Sequence, residues 1–138
     1  MTPEQIDLVK TSWAKVRPAP DAVAEMFYTR LFELDPSVMP MFKVGMQEQG
    51  AKLVRMIDAT VAGLERFDNL APVVEDLGRR HVSYGTLPEH YDTVGVALLW
   101  TLEQGLGREF TPEVRDAWAQ AYTALADTMK QAAPEAVV

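Results

Sequence analysis

Cysteine is absent from this chain of 138 residues, and histidine occurs only twice, at His81 and His90. Without cysteine there is no disulfide, no thiolate metal site and no cysteine nucleophile. Two histidines are too few for a structural zinc site, which takes four Cys or His ligands. HExxH, P-loop, GxGxxG and EF-hand patterns are missing too, and no serine lies in a nucleophile elbow. The motifs of most metal, nucleotide and hydrolase sites are therefore lacking.

Basic charge and long apolar runs are also scarce. The formal net charge of −7 argues against a nucleic-acid or anionic-membrane partner, because both need a cationic face. No stretch approaches the roughly 20 apolar residues of a membrane span, and the start MTPEQIDLVK shows no signal peptide. A composition of 48% hydrophobic and 24% charged residues is globular. We expect a cytoplasmic protein of one domain, residues 1–138, with no nucleic-acid and no membrane partner.

What the sequence does contain is helical periodicity, and the alternation typical of strands is scarce. Caps and breakers divide the chain into predicted helices at about 3–16, 21–34 and 47–66, one around residue 81, one from residue 88 that ends at Gly105 and Gly107, and one from residue 112. Six or seven helices of unequal length predict an all-α fold, as an orthogonal pack or a regular bundle.

His81 lies on an apolar helical stripe, and this is the most informative feature of the sequence. Leu70, Val73, Val74 and Leu77 precede it at spacings of three and four. Burying an imidazole without a partner costs free energy, so something should be bonded to it. One interpretation is a hydrogen-bonded core histidine. The other is an axial ligand of haem iron, which asks of the protein only one imidazole and a large apolar slot.

Several segments, in order along the chain, resemble those of a globin. They are MFYTRLFELDPSV, MPMF, the helix at 47–66, LGRRH, HYDTVG and AWAQAY. The sequence is similar to bacterial single-domain globins, including the Hell's Gate type, and to the globin part of flavohaemoglobins. This resemblance runs nearly end to end. It implies a globin fold of six to seven helices around one haem b.

The resemblance assigns His81 as the proximal iron ligand and Phe42 as the residue that wedges the haem. The second ring nitrogen of His81 should then donate to a backbone carbonyl near Leu77. The predicted wall of the pocket is completed by four residues, two from the His81 stripe and two from the next helix: Leu77, Tyr84, Tyr91 and Val94.

On the opposite, distal side the resemblance places Tyr28, Gln49 and Leu53. Gln49 and Leu53 are four residues apart and so share one helix face. Tyr28 and Gln49 would donate hydrogen bonds to a bound gas, whereas the alternatives are a plain core tyrosine and a solvated glutamine. Lys52 and Arg80 would reach the haem propionates or else remain solvated.

Two departures from the family bear on function. Gln49 stands where the familiar distal histidine would be, and Ala133 stands where flavohaemoglobins carry a glutamate on the last helix. Pro134 is predicted to end that helix before Glu135. We therefore expect reversible binding of O₂, and of CO and NO, for transport, storage or sensing. The alternatives are nitric oxide dioxygenation, which would need a separate reductase because we expect no flavin or nicotinamide domain, a peroxidase-like activity, and a haem-free globin-like module that acts as a sensor or binds a partner.

Overall fold

The computed structural model describes the backbone of residues 1–41, 45–83 and 88–137. Within these ranges the side chains of residues 41, 46, 67–70, 81–83, 88 and 131–137 are not described. Two predicted pocket residues, Phe42 and Tyr84, lie outside the described residues. For His81 the backbone is described and the side chain is not.

Six α-helices make up the described chain, and no strand occurs in it, so the predicted all-α class is confirmed. They are α1 (Pro3–Val16), α2 (Pro20–Leu34), α3 (Met46–Gly63), α4 (Phe67–Ser83), α5 (Pro88–Leu106) and α6 (Pro112–Val137). Short 3₁₀ turns span Pro36–Met41, Leu64–Arg66 and Gly107–Glu109. None of the described helices is long and apolar enough to cross a membrane.

Helix ends follow the local chemistry of the sequence with two exceptions. The Thr2 hydroxyl accepts from the Gln5 backbone, and the Gln5 side chain accepts from the Thr2 backbone, as predicted for a capping box. Helix α5 runs through Gly105 and stops before Gly107, whose φ of +57° favours glycine. The prediction that Pro134 ends the last helix is wrong, because α6 continues to Val137. A proline so near a helix end removes one hydrogen bond and leaves little helix beyond it.

The main core is formed by α1, α2, α3, α5 and α6. It is centred on Val9, Trp13, Leu31, Leu102 and Trp118, all at most 5% exposed. Helices α2 and α3 cross closely at Gly50, since a Cβ added there would lie 2.7 Å from the Cβ of Ala24. This close crossing brings the first turns of α3 against the middle of α2.

Helix α4 packs mainly on α6, and the contact is closer than the apolar pattern predicts. A Cβ added at Gly78 would lie 2.5 Å from the backbone oxygen of Met129, so only glycine lets the two helices approach this far. Val74 is fully buried on the same face, whereas Val73 is 53% exposed. The predicted place of Val73 on the buried stripe is therefore wrong, since Val74, Leu77 and Gly78 define the face that packs.

A Cβ at position 78 would meet backbone atoms of Met129, which cannot move aside as a side chain could. Gly78→Ala should therefore destabilise the protein, although alanine is a better helix former than glycine by about 1 kcal/mol. We expect a loss of about 1–3 kcal/mol in the free energy of unfolding, typical of overpacking. Urea unfolding with an unchanged m-value measures it. Gly45→Ala is the control, because a Cβ there meets nothing within 4 Å. A Gly78→Ala protein as stable as wild type would contradict the close α4–α6 approach.

Candidate functional site

Tyr28 and Gln49, the two predicted distal donors, come together. Tyr28 lies in the middle of α2 and is 6% exposed, and Gln49 lies in the first turn of α3 and is half-buried. Their side chains are hydrogen bonded, with the Gln49 amide as donor to the Tyr28 oxygen. The close α2–α3 crossing at Gly50, the residue after Gln49, accounts for the meeting.

Burial raises the pKa of Tyr28 above its usual value near 10, and the hydrogen bond from Gln49 opposes this only in part. The phenol therefore keeps its proton throughout the neutral range and acts as a donor there. Its ring packs edge-on to Phe27, 5.0 Å between centroids, which holds the hydroxyl in place.

Leu53 and Lys52, the two other predicted site residues of α3, lie in different environments. Leu53, one turn after Gln49, is partly buried and packs against the main core, so the turn from Gln49 to Leu53 presents a polar group and an aliphatic one on one face. Lys52 is exposed on the surface of the same helix.

On the other side of the fold, the backbone of His81 continues the packed face of α4. His81 follows Val74, Leu77 and Gly78 by seven, four and three residues, which places its Cα on their face of the helix. Leu77 is partly buried in a second hydrophobic cluster, formed with Val74, Tyr91, Ala126 and Met129. This second cluster is the immediate surrounding of the helix turn before His81.

The predicted pocket residues therefore divide between two hydrophobic clusters. Tyr28 belongs to the main core, and Leu53 and Val94 pack against it. Tyr91 and Leu77 belong to the second cluster. Helix α4 packs mainly on α6 and less on α3, from which Met56 packs against the second cluster.

Two residues of α6 that the sequence analysis did not single out support Tyr91. The Tyr122 hydroxyl donates to the Tyr91 carbonyl oxygen, 2.6 Å away, and burial raises the pKa of Tyr122 well above its usual value. The Lys130 ammonium nitrogen lies 5.5 Å from the centroid of the Tyr91 ring. No sequence pattern signals these contacts, since they join residues more than 30 positions apart.

Arg80 and His90 each lie beside a carboxylate, Asp76 and Asp35 respectively. Arg80 is exposed and forms an ion pair with Asp76 on its own helix, 3.2 Å between Nη2 and Oδ2. His90 is 7% exposed, and its Nε2 lies 3.8 Å from an Asp35 oxygen at the end of α2. The second histidine is thus a packed side chain beside a carboxylate.

A surface groove of about 410 Å³ runs between α2 and the start of α3. Its lining consists of Asp21, Ala24, Glu25, Tyr28, Thr29, Phe32, Gln47 and Gly50. Tyr28 is the one residue of this lining that also belongs to the hydrogen-bonded distal pair.

The globin family model matches residues 25–129, which include the whole arrangement from Tyr28 to the second cluster. The chain belongs to the globin family. As a globin it is similar in structure to a bacterial globin from Campylobacter jejuni, with a TM-score of 0.85, 27% identity and 97% of each chain covered.

Flavohemoproteins are its relatives in sequence. Those of Bordetella parapertussis and Rhizobium meliloti are 36% and 34% identical to this globin over 132 residues, which is 94% of the chain. The chain spans about a third of the length of these relatives (33%).

Membership of the globin family implies a haem cofactor, and the described side chains suit one. Haem is flat and largely apolar, so it needs apolar side chains against both faces and a polar donor where a gas would bind. Residues of the two clusters would supply the apolar side chains, and the Tyr28–Gln49 pair would supply the donors. A neutral imidazole is a good iron ligand, and the backbone of His81 lies on α4, which packs in the second cluster.

Proposed function

We propose that this globin binds haem b through His81 and reversibly binds O₂, with Tyr28 and Gln49 stabilising the bound gas. The observation that carries the proposal is the hydrogen-bonded Tyr28–Gln49 pair, a polar couple kept at the junction of α2 and α3. The pair places two hydrogen-bonding side chains side by side at an otherwise largely apolar junction, where they could donate to a polar ligand. The same site would accept CO and NO.

Haem, when bound, supplies a ferrous iron to which a diatomic gas can attach. The protein's part is to supply donors where negative charge develops on O₂. A hydrogen bond to a charged acceptor contributes about 1.5–3 kcal/mol. With Tyr28 protonated and Gln49 uncharged, both donors are available across the neutral range, so high affinity should vary little with pH there.

The remaining predicted residues have supporting roles in the proposal. Leu53 and Val94 would form the wall beside the gas, with Phe42 as the wedge. Leu77, Tyr84 and Tyr91 would form the proximal wall, and the Leu77 carbonyl region would accept from the imidazole. Lys52 and Arg80 would reach the haem propionates. Arg80 would first have to leave its ion pair with Asp76.

We expect the reduced, gas-free protein to hold five-coordinate iron. Gln49 is a poor ligand because an amide nitrogen is not basic, and Tyr28 stays protonated because burial raises its pKa. The visible spectrum of the haem-loaded, reduced protein should show one broad band, and O₂ added and removed should change it reversibly. Sharp split bands would show an internal sixth ligand and contradict this account of the distal side.

A second proposed function is nitric oxide dioxygenation with a separate reductase, which the likeness to flavohemoproteins favours. Sustained turnover needs electrons to return ferric iron to the ferrous state. The two functions differ in one measurement. Many turnovers of NO per haem in the presence of a bacterial flavin reductase would support the enzyme, and a single turnover would support reversible O₂ binding.

A further inference from the structure

Lys130 places a positive charge against the interior of the second cluster. Its ammonium nitrogen lies 5.5 Å from the Tyr91 ring centroid, in the range of a cation–π contact. Tyr91 is 8% exposed, and its carbonyl is held by the Tyr122 hydroxyl at 2.6 Å. The ring that receives the cation is therefore fixed, and Lys130 itself is half-buried.

The close contact of α4 with α6 puts this charge beside the helix segment of His81. Gly78 touches the backbone of Met129, the residue before Lys130. His81 follows Gly78 by three residues, less than one turn of α4. Leu77, on the turn before His81, shares its cluster with Tyr91. The lysine and the proposed iron ligand thus both lie within one helical turn of the same close helix contact.

A fixed positive charge near a metal centre acts on its oxidation state. Conversion of ferrous to ferric iron adds one positive charge, which a neighbouring cation opposes most strongly where the surroundings exclude water. This effect acts in the direction of a stable ferrous, gas-binding protein.

We propose that the positive charge of Lys130, held over the Tyr91 ring beside α4, favours the ferrous state of a haem iron bound by His81. The proposal rests on the proposed role of His81 as iron ligand. It assigns to α6 a function beyond packing, because a cation on this side favours the ferrous state that binds gas.

The test compares Lys130→Arg, Lys130→Met and Lys130→Glu in the haem-loaded protein. The ferric-to-ferrous ratio is read from the visible spectrum at a fixed applied potential. We expect the ratio to stay near wild type in the arginine variant, to rise about tenfold in the methionine variant and to rise further in the glutamate variant. A tenfold change in the ratio corresponds to about 1.4 kcal/mol of lost charge interaction.

A control variant separates charge from packing. Lys15→Met removes the same charge from the C-terminal end of α1, where Lys15 pairs with Glu109 at 3.0 Å, and should leave the ferric-to-ferrous ratio at its wild-type value.

Two outcomes would overturn the role of Lys130 in a protein that does take up haem. One is a ferric-to-ferrous ratio unchanged in both the methionine and glutamate variants. The other is an equal change in all three variants, which would indicate packing. A wild-type protein without a Soret band would overturn the proposed haem function itself and this inference with it.

Discussion

Replacement of His81 by alanine should abolish the Soret band of the haem-loaded protein, while replacement of His90 by glutamine should leave it. The chain has only these two histidines and no cysteine, so loss of one imidazole removes the one strong nitrogen ligand that the fold offers on α4. His90 is packed near Asp35 on another part of the fold. The pair of variants therefore separates ligation from a general need for imidazole.

Absorption spectra after haem titration of the two variants at equal protein concentration give the measurement, with far-UV circular dichroism as a check on the fold. Imidazole added to the His81→Ala protein should restore a Soret band, because the apolar slot persists. A Soret band of wild-type intensity in His81→Ala without imidazole would mean that another group ligates the iron and would sink the assignment.

The site could be predicted from the sequence where local pattern and family resemblance coincide. Tyr28 and Gln49 are far apart in sequence, and the resemblance alone brought them into one pocket. Their hydrogen bond depends on the close crossing at Gly50, where a Cβ would lie 2.7 Å from Ala24. Hydrophobic periodicity does not predict such a crossing, because glycine has no apolar side chain that would contribute to the pattern.

A close contact at a glycine also explains why the sequence pattern wrongly placed Val73 on the buried face of α4. Val73 and Val74 have identical side chains, and spacing alone fits both to the His81 stripe, but one is 53% exposed and the other fully buried. The contact of Gly78 with the Met129 backbone sets the rotation of the helix and decides between them. Lys130 likewise reads as one more surface lysine until packing places it over the Tyr91 ring.

Removal of the Tyr28 hydroxyl, in Tyr28→Phe, should speed the release of O₂ by roughly tenfold to 150-fold. A hydrogen bond to a charged acceptor contributes about 1.5–3 kcal/mol, and each 1.4 kcal/mol is a factor of ten. The ring itself is retained, together with its edge-on contact to Phe27 at 5.0 Å, so the loss is confined to the donor. Stopped-flow displacement of O₂ by excess CO measures the release rate.

Tyr122→Phe is the matched control, since it removes the same atom from a partly buried tyrosine on α6. Its hydroxyl donates to the Tyr91 carbonyl on the proximal side, so the variant should lose stability while its O₂ release rate stays close to wild type. Equal acceleration in both variants would indicate a general loosening of the fold and contradict a direct role for Tyr28.

The hydrogen bond between Tyr28 and Gln49 makes their effects interdependent. In Gln49→Leu the Tyr28 hydroxyl loses its neighbouring donor and is held less firmly, so O₂ release should accelerate through both missing contacts. The double variant should then release O₂ more slowly than the product of the two single effects predicts, since residues in contact are not additive. Strict additivity would mean that the two donors act independently on the gas, and the bond between them would have no part in setting the release rate.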